Sequence, residues 1–470
     1  MDLFNPVEIA SWSGGVWQSA KMPASITGFC FDARTIQPDE CFVALSCGTR
    51  DGHEFIGQAL DKGAGSLLLE RPQKVQLPQL IVDDSLVAMG SIASGLRSQF
   101  PGQVIGITGS CGKTSTKEML YMILGDAYTH ATPGNWNNRI GVPMTLFRLD
   151  KNKHKFAVIE AGINQPDEMS ALGSMIQADL TLITNIGHAH LELLGSVENI
   201  AAEKSLLVAH SKADAPVILP HSVFKYEAFS SYADRAIVLA AKDERIDVKP
   251  KQVVRYSLEI SKSGTGKLSL QDGATVQNFE IASPSLGICT NAALAIIAAR
   301  YCGVSDLKIG KRLQAWAPAA KRGRVEKRGK QTFYIDCYNA NPDSMSDALT
   351  AFCRSMPSSV SRCYIIGTMN ELGENSLEMH REIGRKIELR QHDRVFFVGT
   401  EMLTQAYTKG LLEMGISPKQ IEMVSDAKSI KPIIADFVGN IFLKGSRSHQ
   451  LEKILPEEII EHTTGQNLSF

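Results

Sequence analysis

The stretch VIGITGSCGKTSTKEML, residues 104–120, constrains this chain more than any other. It reads as an apolar strand, a tight glycine turn and the start of a helix. A turn of that kind aims consecutive backbone N–H groups and the positive end of a helix at one point, which suits an anion. Gly109 and Gly112 give the backbone freedom to approach it, Lys113 can reach the outer phosphates of a nucleotide, and the Thr114 hydroxyl can ligate magnesium. The strict pattern G-x-x-x-x-G-K-[ST] is not met, because Ile107 stands where its first glycine belongs; T-G-x-x-G-K-T stands instead. A plain glycine turn with a surface lysine is the competing reading. The strand before the turn and the helical pattern after it favour the phosphate loop.

Around this element the chain alternates in texture. A length of 470 residues exceeds one core and suits about three domains. Residues 1–98 mix short apolar runs (CFVAL, SLLLE, QLIVDD) with turns and end in a helix expected over 86–100, which reads as a small α/β domain. Residues 99–315 alternate apolar strands (VIGITG, FAVIEAG, ADLTLITNIG, APVILP) with helical patterns such as ENIAAEKSLLVAH, predicting a doubly wound, mainly parallel sheet wrapped by helices. WAPAAKRGR, residues 316–324, has no period and is taken as a linker opening a third unit, 316–470, where TFYIDCY, CYIIGTM, RVFFVG and NIFLKG predict a Rossmann-like domain.

Charge and cysteine usage narrow the partners. Lysine plus arginine (49) cancels aspartate plus glutamate (50), so no global field draws nucleic acid or an anionic membrane. The nine cysteines, at 30, 41, 47, 111, 289, 302, 337, 353 and 363, never fall as CxxC, which argues against a disulfide framework or structural zinc and for a reducing cytoplasm. No secretion leader and no run of 18 apolar residues is found, so neither export nor a membrane span is expected.

Candidate ligands lie downstream of the loop. FAVIEAG delivers Glu160 at a strand end, where a carboxylate can serve magnesium. TNIGHAHLE places Asn185, His188 and His190 after a buried strand, at the crevice where open α/β sheets bind ligands; for either histidine alone, plain surface is the stronger reading. The asparagines of TPGNWNNRIGVP can stabilise turns or donate to phosphate oxygens, and both readings stand.

Taken together these pieces resemble the Mur ligase family, and the flanking segments resemble its MurF branch. TGSCGKTS, with Thr108, Gly109, Gly112, Lys113, Thr114 and Ser115, matches the family's phosphate loop; GNWNNRIGVP, with Asn138, its asparagine loop; EAG its magnesium glutamate, Glu160; and TNIGHAHLE its histidine motif, with His190. The resemblance implies that Lys204, fourteen residues beyond His190, is carried as its carbamate and shares a second magnesium ion with His190. It also implies that Asp32, Arg34, Arg50, Asp51 and His53 hold the UDP-sugar, that Arg324 contacts phosphate, that Asp336 meets the ATP ribose, and that Asn339 and Asn341 of YNANP serve substrate. Ala33 stands where the family more often has serine and Thr368 where it usually has aspartate. Gly287 and Ile288 replace a usual His-Asn pair, although Asn291 remains for the nucleotide.

The activity so implied uses ATP and two magnesium ions to activate the terminal carboxylate of UDP-N-acetylmuramoyl-tripeptide as an acyl phosphate, which the amine of D-alanyl-D-alanine then captures. A monomeric cytoplasmic enzyme is expected, with Lys113, His190, Lys204 and Arg324 as its catalytic residues. Two alternatives stand beside it. One is another ligase on the same core, a different Mur branch or a folylpolyglutamate synthase; the other is a nucleotide-binding regulator with impaired catalysis, suggested by Gly287, Ile288 and Thr368.

Overall fold

The computed structural model describes residues 4–18, 22–48, 50–261, 264–357 and 359–459; Thr49 of the GTRDGH motif and the Cys47 side chain fall outside the description. Three main sheets succeed one another along the chain. The first has five short strands in the order Val16–Trp17, Gln79–Ile81, Ser66–Leu69, Cys41–Val43, Phe29–Cys30, parallel except for the first pair. Its inner runs Cys41–Val43 and Ser66–Leu69 are wholly buried and nearly all apolar because both faces are covered, as parallel strands require.

The helix Ser85–Gln99 follows, begun by Asp84, whose carboxylate accepts from the N–H groups of Leu86 (2.8 Å) and Val87 (2.9 Å). It packs on the first helix, Pro6–Ser13, and on central helices alike, and one side chain fixes the join. The Arg97 guanidinium is buried and donates to Asp179 (2.7 Å) and to the carbonyl oxygens of Ile176 (2.9 Å) and Gln177 (2.8 Å). Burial lowers its pKa from the ordinary value, and Asp179 opposes that shift. Arg97→Met removes a buried cation from its anion and carbonyls, and is expected to lower the unfolding free energy by about 3 kcal/mol, read as a shifted denaturant midpoint.

The central sheet has nine strands. Thr129–Ala131, Phe156–Glu160, Gln103–Thr108, Leu180–Ile183, Val217–Pro220, Ala236–Ala241 and Gln252–Ile260 run parallel in that spatial order. Gln103–Thr108 lies between the strands on which the chain moves first to one side and then to the other. This is the switch point at which open α/β sheets form a crevice. The phosphate loop, EAG and TNIGHAH therefore leave neighbouring strand ends. Beyond the parallel part the chain adds an antiparallel ribbon, Gly266–Asp272 and Thr275–Ile281, turned by Gly273 at φ +57°. That ribbon extends the expected parallel sheet into a mixed one.

The third sheet has six strands, in the order Arg324–Arg328, Gln331–Asp336, Gly439–Lys444, Arg362–Gly367, Arg394–Val398, Ile421–Val424, with only the first pair antiparallel. Aromatic side chains fill one face of it, with Tyr334 and Phe442 stacked at 5.7 Å. The eight cysteines whose side chains are described are unpaired. Among the described residues no helix is long and apolar enough to cross a membrane.

Candidate active site

The phosphate loop is held from both sides. Gly109 (φ +150°) and Gly112 (φ +79°) take backbone angles that side chains rarely adopt, and neither has room for one: a Cβ would lie 1.9 Å from Thr184 Oγ1 at Gly109 and 2.1 Å from Asn291 Nδ2 at Gly112. Asn185 Oδ1 accepts from the Cys111 N–H (2.8 Å), and the Ser110 hydroxyl bridges to the Gly187 carbonyl (3.0 Å), so the loop is moulded on the histidine motif. The helix Lys113–Leu124 then begins, with the Lys113 ammonium folded back onto the Gly109 carbonyl at 2.7 Å. Burial holds the Lys113 pKa below its ordinary value, while the Glu160 charge opposes that. An ammonium desolvated this way is poised for a polyanion.

One turn further, Lys117 is fully buried and donates to the carbonyl oxygens of Thr132 and Gly134, both at 2.8 Å, so that the asparagine loop hangs from the phosphate-loop helix. Burial lowers its pKa as well. Of the three asparagines in that loop, Asn135 and Asn137 line the crevice, and Asn137 donates to Glu160 Oε1 at 2.7 Å. Asn138, expected at the cofactor, instead turns its oxygen onto the N–H groups of Ile140 (3.2 Å) and Gly141 (2.9 Å) and shapes the next helix start. The signal separating them is tertiary, since all three asparagines share the same turn-rich string.

Glu160 is 1% exposed. Its Oε1 accepts from Thr114 (3.3 Å) and Asn137, whereas Oε2 accepts no hydrogen bond and lies 3.8 Å from Lys117 Nζ. The Lys204 ammonium, on the helix Val197–Ala209, is also 1% exposed and finds no hydrogen-bond partner. Burial drives its pKa well below the ordinary lysine value, and the nearby Lys113 charge adds to the effect. Two buried polar atoms without hydrogen-bond partners beside a phosphate loop fit a site completed by cations and oxygen ligands. Among the described residues no three His, Cys, Asp or Glu side chains cluster as a metal cage. Magnesium fits such an open site better than zinc or iron would, because it keeps water and phosphate oxygens as ligands.

The crevice, about 560 Å³, is closed from the other side by the third sheet's domain. Thr114, Ser115, Asn291, Asp336, Asn339 and Asn341 line it together with Lys113, Glu160 and His190; Thr108, Gly109 and the buried Lys204 are not part of the lining. Asp336 receives a 2.7 Å hydrogen bond from the buried Lys444, which sequence reading passed over. His190 Nδ1 lies 2.5 Å from Glu371 Oε2, and His188 pairs with Asp343 at 3.2 Å. Arg324 is engaged by Glu326 outside the lining, and Arg322, two residues earlier, lines the crevice instead and stacks 3.8 Å over Tyr338.

The amino-terminal residues gather apart from this crevice. Arg34 clasps Asp32 with two hydrogen bonds (2.9 and 2.7 Å), holding the Asp32 carboxyl at about 2. Asp51 joins His53 Nδ1 (2.7 Å) and Arg71, which together hold its pKa below the usual carboxylate range. His53 Nε2 accepts from the Glu70 N–H (3.2 Å), so Nδ1 carries the proton given to Asp51. Arg50 is exposed beside them. Phe31, adjoining Asp32, meets Trp136 of the asparagine loop edge-on at 6.4 Å, which turns this cluster toward the same side of the molecule.

With this geometry in hand, comparison with known proteins is direct. Residues 107–299 match the Mur ligase middle domain and residues 323–437 the Mur ligase glutamate ligase domain. The UDP-N-acetylmuramoyl-tripeptide–D-alanyl-D-alanine ligase of Escherichia coli (strain K12) is 31% identical over 448 residues, 90% of this chain and 92% of its own. The chain belongs to the Mur ligase family. Its fold follows a MurF crystal structure from Acinetobacter baumannii with a TM-score of 0.85 at 26% identity, covering 97% of this chain and 98% of that one. It also follows a MurF ligase from Thermotoga maritima in complex with ADP, with a TM-score of 0.77 at 25% identity over 93% of this chain and 97% of that one. The branch is MurF.

Proposed function

We propose that this chain is an ATP-dependent ligase, monomeric and cytoplasmic, that joins D-alanyl-D-alanine to the terminal carboxylate of UDP-N-acetylmuramoyl-tripeptide for peptidoglycan synthesis. The observation that carries the reading is the pair of buried atoms without a hydrogen-bond partner, Glu160 Oε2 and Lys204 Nζ, beside a lysine-bearing phosphate loop. Residues 1–98 would serve the UDP-sugar, 99–315 the nucleotide, and 316–470 the dipeptide and the ATP ribose through Asp336.

A carboxylate does not accept an amine at neutral pH because oxide would have to leave. An oxygen of the tripeptide carboxylate therefore attacks the γ-phosphorus of ATP, the bond to the bridging oxygen breaks, and ADP departs. The dipeptide amine then attacks the acyl carbon, loses a proton, and expels inorganic phosphate. Lys113 and the one crevice-lining arginine of this pair, Arg322, neutralise negative charge in both stages, which is mainly positioning and electrostatics; Arg324, expected to contact phosphate, is held by Glu326 outside the lining.

Thr114, Glu160, His190 and a carbamylated Lys204 would hold two magnesium ions, which when bound supply positive charge to the phosphate oxygens. A carbamate forms when the neutral lysine amine adds to CO2 and releases a proton; the depressed Lys204 pKa keeps that neutral amine available. Purified protein is expected to release phosphate from ATP only when both UDP-muramoyl-tripeptide and D-Ala-D-Ala are present. Release indifferent to the dipeptide would remove this reading, and no release with any acceptor would favour a nucleotide-binding regulator.

A further inference from the structure

The C-terminal domain reaches across the crevice with side chains from the start of one helix, Pro342–Ser355, and from the ELGE turn. Asn341, its capping residue, donates to Cys111 Sγ (2.9 Å), Asp343 accepts from the His188 N–H (2.9 Å), and Glu371 meets His190 (2.5 Å). Each of these contacts falls on the phosphate loop or the histidine motif, the groups that incoming nucleotide and cations need.

Asp347 is different. It lies four residues beyond Asp343, on the same helix face, and docks on the first turn of the central helix Leu286–Tyr301. Its Oδ2 accepts from the Ser285 hydroxyl (2.5 Å) and its Oδ1 from the Gly287 N–H (3.1 Å). Ser285 is itself the cap of that helix, accepting from the Ile288 N–H at 2.9 Å, so Asp347 completes a helix cap from a separate domain. Enclosure pushes the Asp347 pKa up, and the two donors oppose that.

Gly287 makes the contact possible. A Cβ there would lie 3.0 Å from Asp347 Oδ2, and a longer side chain would displace the carboxylate. The same helix carries Asn291, one turn on, against the phosphate loop. A contact on its first turn therefore fixes the C-terminal domain relative to the nucleotide cradle from the crevice wall, which Ser285, Gly287 and Asp347 line, and leaves the phosphate loop itself free.

We propose that Asp347 is a positioning residue: its carboxylate latches the C-terminal domain onto the amino end of the Leu286–Tyr301 helix and sets the closed position of that domain over bound nucleotide. The proposal rests on the ligase reading for its catalytic consequence, but its binding consequence does not depend on which acid and amine are joined.

The test uses the full chain and two readouts, affinity for a non-hydrolysable ATP analogue with Mg2+ by calorimetry, and kcat/KM in the ligase assay. Asp347→Ala is expected to weaken analogue binding and lower kcat/KM by about tenfold each, the scale of one coupling contact. Asp347→Asn, which keeps one acceptor oxygen, is expected to recover part of both. Gly287→His alone should reproduce the loss by displacing the carboxylate, and adding it to Asp347→Ala should cost nothing more, because both changes break one contact. Parental analogue affinity in Asp347→Ala, or losses that multiply in the double variant, would overturn the latch. An inactive parent whose variants still differ in analogue affinity would overturn the ligase reading and leave the latch standing.

Discussion

Lys204→Ala is expected to slow substrate-dependent phosphate release by about 10²-fold or more, and formate or acetate at millimolar concentration is expected to restore part of the rate. The argument starts from burial. An ammonium that is 1% exposed and without a hydrogen-bond partner contributes nothing to stability as it stands, and the Lys113 charge lies near it; under the proposed function its carbamate would supply oxygen ligands to a cation. Truncation leaves a cavity the length of the lysine stem, and a small carboxylic acid fits that space and returns the missing oxygens. The fold should survive, with a melting point lowered by about 5 °C or less, since the lost packing is offset by removal of an orphaned amine. A variant as fast as the parent, or one that acids do not revive, would end the carbamate assignment.

Glu160→Gln is expected to lower the rate by about 10²-fold and to raise the Mg2+ concentration for half-maximal rate at least about tenfold. The substitution keeps the oxygen that accepts from Thr114 and Asn137, so the loop geometry is retained. It removes the charge at Oε2, the atom that accepts no hydrogen bond. A magnesium titration separates the two effects: if the rate falls while the half-saturating concentration stays put, Glu160 acts by positioning Asn137 and not as a ligand.

The sequence carried the strand–turn–helix at 104–120 plainly because each of its parts has a local cause: an apolar run, two glycines and a helix start. Glu160 was legible because strand ends at a switch point collect function, whereas the histidines read alone as surface and entered only through the family resemblance. The ribbon after Gln252–Ile260 was not read, although Gly266–Asp272 alternates buried and open positions and Asp272-Gly273 marks its turn; the strand that leads into it, Gln252–Ile260, is only partly buried and has no regular alternation to announce the pairing. Lys117 and Lys444 escaped because a lysine in an amphipathic pattern reads as solvated, and only the packed chain shows which one is enclosed. The choices of Asn137 over Asn138 and Arg322 over Arg324 hinge on the direction of neighbouring side chains in a turn, which composition does not encode. Asp347 looked like any surface acid until a second domain was laid against it.

Thr184 and Asn291 stand so close to Gly109 and Gly112 that not even a methyl group can be admitted at either glycine. A lineage carrying this enzyme thus has no single-step route to altering that part of its cradle: drift at one of these positions must wait for an accommodating change on a separate strand or helix. A compound that bonds only to the main-chain amides of this turn would therefore confront a surface from which resistance could not arise by one replacement at those two sites.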